Sequence, residues 1–215
     1  MGELFRRFWA PVLMARELEE PDGPPMRVKL FGEFLVAFRD TDGRLGLLDA
    51  RCPHRGFDLS MGINEDNGLR CYRCLWKFTV DGTCVDTPME PEDSDLKDHV
   101  RAHAYVLEER GGLLWAYLGP REHIPDIPEF EWTHVPDTYR YSSRFLVECN
   151  YLQGVEGGMD AGRIEWLEGL LSGQVHGGSQ QGVSEPDELS RIDSVETPYG
   201  LQISATGDPA ITDSG

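Results

Sequence analysis

No stretch of this sequence is apolar over anything near the ~20 residues that a membrane-spanning helix requires. Positive charge is also scarce: 20 Lys and Arg stand against 38 Asp and Glu, a formal net charge of −18. Such a surface repels polyphosphate, which excludes a nucleic-acid-binding role; a basic electron-donor partner would suit it better. An even complement of cysteines is missing. The five present are Cys52, Cys71, Cys74, Cys84 and Cys149, and an odd number argues against a disulfide framework. The opening residues, Met1 to Ala10, hold no continuous apolar run and no cleavage pattern, so no signal peptide and a cytoplasmic location are expected. Repeats and heptads are absent as well. Apolar residues nevertheless make up 40% of the chain and aromatics 10%, enough for a packed core and against global disorder.

Short strand-like runs follow a turn-rich opening at Glu20 to Pro25. Met26 to Leu30, Glu33 to Phe38, Leu45 to Leu48, Trp76 to Val80, Thr83 to Val85, Ala102 to Leu107 and Leu113 to Leu118 are each bounded by turn residues such as Asp81-Gly82 and Gly111-Gly112. This spacing predicts a small antiparallel β-domain over residues 26–118, after a lead-in over 1–25. Residues 119–138 carry Pro120, Pro125, Pro128 and Pro136 and read as an extended linker. Over 139–215 a second domain begins and stays incomplete. It would hold a strand over Tyr139 to Cys149, a helix from Tyr151 to Leu171 capped by Asn150, and a hairpin of Ile192 to Val195 with Leu201 to Ala205.

The densest chemical signal is Cys52-Pro-His54-Arg-Gly56, then Cys71-Tyr-Arg-Cys74. A Cys-x-His pair and a Cys-x-x-Cys pair on two loops between strands give four soft or borderline donors that can close around one centre. Spacing alone leaves an iron–sulfur cluster and a closed structural zinc site equally open. Cys84 and Cys149 read as packed residues. His99, His103, His123, His134 and His176 do not fall at ligand spacing.

The segments Cys52-Pro-His-Arg-Gly-Phe-Asp-Leu-Ser60, Asn64 to Cys71, Trp76-Lys-Phe78 and Asp81 to Asp86 resemble the Rieske domain of phthalate-dioxygenase-like aromatic-ring oxygenases. The openings Met1 to Trp9 and Asp40 to Asp49 are similar to the same family. The resemblance implies a mainly β Rieske-like fold, followed by the start of an α+β catalytic domain. It also implies a [2Fe–2S] cluster, held in that family by Cys-x-His and Cys-x-x-His. Cys52, His54 and Cys71 match. The family's Tyr-His-Gly-Trp becomes Arg73-Cys74-Leu75-Trp76, so the ligand set would be three cysteines and one histidine, and Arg73 and Leu75 are expected to crowd the loop.

A second segment, Glu148 to Glu168, is similar to the family's stretch ending in Asp-x-x-His-x-x-x-x-His, which supplies two ligands of a mononuclear Fe(II) site. Asp160 matches the family's bridging aspartate, while Arg163 and Glu168 occupy the two histidine positions. A guanidinium cannot ligate Fe(II). The mononuclear iron of the family is therefore expected to be absent, and the chain alone inactive as an oxygenase. Three functions compete: an electron-transfer module reduced by a ferredoxin or flavin reductase, an oxygenase component acting on an aromatic acid with O₂, and a non-redox zinc or structural protein. By resemblance the assembly would be a homo-oligomer, a trimer.

Overall fold

The structure is a computed structural model that describes residues 2–91, 93–159, 191–198 and 200–206. It contains two compact units, Met1–Phe145 and Leu146–Gly215. The first carries ten strands: β1 (Ala10–Met14), β2 (Met26–Leu30), β3 (Glu33–Arg39), β4 (Leu45–Asp49), β5 (Ile63–Glu65), β6 (Gly68–Arg70), β7 (Lys77–Phe78), β8 (Cys84–Asp86), β9 (Ala104–Arg110) and β10 (Leu113–Tyr117). These build a six-stranded sheet in the order β1-β10-β9-β4-β3-β2 and a four-stranded sheet in the order β5-β6-β7-β8. Every neighbouring pair is antiparallel. The mainly β architecture is the one the strand spacing predicts.

Both faces of β3 are buried, which explains its near-continuous apolar run. Leu35 and Ala37 of β3 join one core with Leu47, Leu107 and Leu114. The alternate residues Val36 and Phe38 join a second core with Leu48, Leu59, Leu69, Trp76 and Phe78. That division follows from the two-residue period of a pleated strand. The second core draws on both sheets, and it takes in Cys52, Cys71 and Cys84. The small sheet owes its tight start to Asp66 and Asn67, whose positive φ values of 46° and 60° turn β5 into β6 in two residues. The proline-rich segment after β10 is held on the first unit. Trp9 Nε1 donates to the Pro125 carbonyl at 2.8 Å, and Ile127 is buried beside Trp9, Trp115 and Tyr117.

Among its described residues the second unit shows a helix, Tyr151–Met159, and an antiparallel hairpin of β11 (Arg191–Thr197) with β12 (Gly200–Thr206). Asn150 caps the helix as its sequence position suggests, with Oδ1 accepting from the Leu152 N–H at 3.0 Å. The helix expected beyond Met159 falls outside the described residues. The strand expected over Tyr139 to Cys149 does not form: Tyr139 closes a short 3₁₀ turn, and Phe145, Leu146 and Val147 are all at least 70% exposed. Alternating polarity specifies a strand only where one face is buried against a partner.

Candidate metal centre

Two loops with matching backbone design lie at the second core. The first runs from Ala50 to Asp58, between β4 and a 3₁₀ turn at Leu59–Met61, and its ends are pinned by a bridge between Arg51 and Asp58. The Cys52 N–H donates to the Phe57 carbonyl at 2.8 Å, and the Gly56 N–H returns to the Cys52 carbonyl at 2.8 Å. The second runs between β6 and β7. There the Cys71 N–H donates to the Trp76 carbonyl at 2.8 Å, and the Leu75 N–H returns to the Cys71 carbonyl at 2.9 Å. Each loop thus places a cysteine at its base and a left-handed residue four positions on, Gly56 at φ 69° and Leu75 at φ 63°.

The loops bring the sulfurs of Cys52, Cys71 and Cys74 within 4.8 Å of one another. Cys52 Sγ and Cys74 Sγ are 3.6 Å apart across the two loops. Cys52 and Cys71 are buried and Cys74 is half-buried. Burial pushes the Cys52 thiol up to about 12, and the Cys74 thiol is also raised by desolvation. In the metal-free fold these groups hold their protons, so a thiophilic metal must displace them on binding. His54 is not in the sulfur trio. Its ring stacks on Trp76 with centroids 4.4 Å apart and planes within 7°. Its Nδ1 is buried and has no hydrogen-bond partner. A buried imidazole nitrogen without a partner is costly unless something else takes its lone pair or its proton. Three thiols and one orphaned imidazole nitrogen on two loops suit an iron–sulfur group.

The other sulfur and imidazole groups stand apart. Cys84 is buried in the same core, but its thiol lies against the Asp86 carbonyl at 3.8 Å and outside the trio. Cys149 is exposed in the second unit. His99 faces Asp95 at 3.3 Å, His103 lies tilted against the Tyr105 ring, and His123 and His134 lie exposed in 3₁₀ turns. Asp160, Arg163, Glu168 and His176 fall outside the described residues. The expected crowding by Arg73 and Leu75 is not seen, because both side chains are exposed. The departure at position 75 acts on the backbone instead. A left-handed conformation costs an L-residue ~1–2 kcal/mol, partly offset by the larger unfolded-state entropy of glycine. Leu75→Gly should therefore stabilise the fold by about 0.5–1 kcal/mol. Gly56→Ala should cost about 1 kcal/mol, since an added Cβ would meet nothing nearer than Arg51 Nη1 at 4.0 Å. Denaturant unfolding of the apoproteins measures both.

A two-loop cysteine and histidine site at the end of a small antiparallel sheet, docked on a larger sheet, defines a Rieske-type iron–sulfur protein. Residues 8–106 match the Rieske [2Fe–2S] domain family. The chain belongs to the Rieske oxygenase alpha-subunit family, of the phthalate-dioxygenase type. It is 37% identical over 215 residues to the phthalate 4,5-dioxygenase oxygenase subunit of Pseudomonas putida, covering 97% of this chain and 49% of that one. To the 3-chlorobenzoate-3,4-dioxygenase oxygenase subunit of Comamonas testosteroni it is 36% identical over 217 residues, covering 99% and 50%. The chain thus spans about half the length of these relatives. Its fold is also similar to dicamba monooxygenase bound to 3,6-dichlorosalicylic acid, at TM-score 0.72 and 23% identity over 94% of this chain and 56% of that one. Among the described residues no helix is long and apolar enough to cross a membrane.

Proposed function

We propose that Cys52, His54, Cys71 and Cys74 hold a [2Fe–2S] cluster and that residues 26–118 work as an electron-transfer module. The observation that carries this is the convergence of three thiols with the unpartnered Nδ1 of His54 on two matched loops. The cluster, when bound, supplies one-electron transfer. The protein contributes the rest. Cys52, Cys71 and Cys74 give thiolates. His54 gives Nδ1, leaving Nε2 as the atom that can hold or release a proton. Trp76 fixes the imidazole plane by stacking. The surrounding apolar core, with Leu59, Leu69 and Phe78 fully buried, excludes water from the sulfur side.

In this reading residues 119–138 connect the module to 139–215, the first part of an oxygenase catalytic domain. Asp160 stands where the family has its bridging carboxylate, but Arg163 and Glu168 replace two neutral imidazoles. A permanent cation at a ligand position repels Fe(II), so this chain carries no mononuclear iron. The electron donor is a ferredoxin or a flavin reductase, and the assembly is a homo-oligomer. The oxygenase subunits among its relatives favour a second reading, in which a partner chain completes the iron site and the pair hydroxylates an aromatic acid.

Anaerobic reconstitution followed by metal and acid-labile sulfide analysis tests both. Two irons and two sulfides per chain are expected, with the EPR signal of a reduced binuclear cluster. Zinc without sulfide would defeat the cluster assignment. A third iron per chain, or substrate-dependent O₂ consumption with a reductase, would instead favour the second reading.

A further inference from the structure

Arg70 ends β6 immediately before Cys71, and its side chain is only 16% exposed. Its Nε donates to Glu65 Oε1 on β5 at 2.6 Å. Its Nη1 donates to Asp86 Oδ2 on β8 at 2.8 Å and to the Leu75 carbonyl at 2.6 Å. One guanidinium therefore ties two strands of the small sheet to the far end of the second loop. Leu75 is held on both sides, its N–H by the Cys71 carbonyl and its C=O by Arg70. That double hold matters because Leu75 sits at φ 63°, where a leucine does not rest by preference. The first loop meets the same demand with Gly56, for which the left-handed conformation is free of strain. Cys74 precedes Leu75, and Trp76, which stacks on His54, follows it.

We propose that Arg70 is a positioning residue that locks Leu75 left-handed and so aims Cys74 and the Trp76–His54 stack; this rests on the ligand assignment above. The guanidinium fork suits the task because it can bond a carbonyl and two carboxylates at once in fixed directions. The arrangement compensates for a leucine at a position that otherwise calls for glycine.

The test is cluster loss from the reconstituted full chain to an iron chelator, followed by visible absorption, together with EPR of the reduced protein and far-UV circular dichroism. Arg70→Gln should lose its cluster about 10-fold faster or more, as disruption of groups that orient metal ligands does, and should broaden or shift the EPR spectrum. Leu75→Gly in the same background should restore most of the lifetime and the spectrum, because glycine holds the turn without a clamp. A role limited to joining Glu65 and Asp86 would not be cured by a change at Leu75. Should Arg70→Gln fail to fold, Arg70→Lys with and without Leu75→Gly makes the same comparison: lysine keeps the charge between the carboxylates but lacks the fork. Cluster loss at the wild-type rate, or a double variant as labile as the single one, overturns the proposal. A wild-type chain that takes up zinc and no sulfide overturns the ligand assignment and this inference with it.

Discussion

Cys74→His is expected to raise the reduction potential of the reconstituted chain by on the order of 100 mV or more. The cause is charge. A thiolate at position 74 puts one more negative charge on the cluster than a neutral imidazole would, and that charge disfavours the incoming electron. Two-histidine centres lie at about −150 to +300 mV and all-cysteine plant-type centres near about −400 mV. The native chain should fall below the two-histidine range. Redox titration of both proteins at one pH decides the matter, and equal potentials would remove Cys74 from the ligand set.

The cysteines should divide sharply when replaced one at a time. Cys52→Ala and Cys71→Ala should bind no stable cluster, because each removes a buried thiolate from the sulfur trio. Cys84→Ala and Cys149→Ala should keep the full iron and sulfide complement. Cys84 is buried, as Cys52 and Cys71 are, and shares their core, so burial by itself does not mark a ligand; the contact of its thiol with the Asp86 carbonyl does distinguish it. Iron and sulfide content after anaerobic reconstitution is the readout. A Cys84→Ala protein that loses its cluster would show that the trio is drawn too narrowly.

Much of the first unit was legible from local pattern. Runs such as Met26–Leu30 and the turn at Gly111-Gly112 carry their structure in residue order, and β2 and the β9–β10 hairpin sit where that order places them. The approach of Cys52 to Cys71 and Cys74 was equally legible as spacing. Strand β1 was missed. Ala10–Met14 is short, contains Pro11, and becomes a strand by pairing with β10, about a hundred positions away in sequence. Arg70 was missed too. A cation directly before a loop cysteine in so acidic a chain is a signal, but its partners Glu65, Asp86 and Leu75 cannot be read from its neighbours alone.

Residue order alone sets the period-two strands, the two cysteine loops and the donor types they offer, because backbone preference and side-chain chemistry act over a few residues. How those pieces serve one another is a matter of tertiary packing. It set the Cys52–Cys74 approach at 3.6 Å, left His54 Nδ1 without a partner, laid His54 on Trp76, and tied Leu75 to Arg70. Each of these depends on groups that meet when two sheets pack around one core. Such contacts are fixed by strand register and burial over the whole unit, which no short window of residues contains.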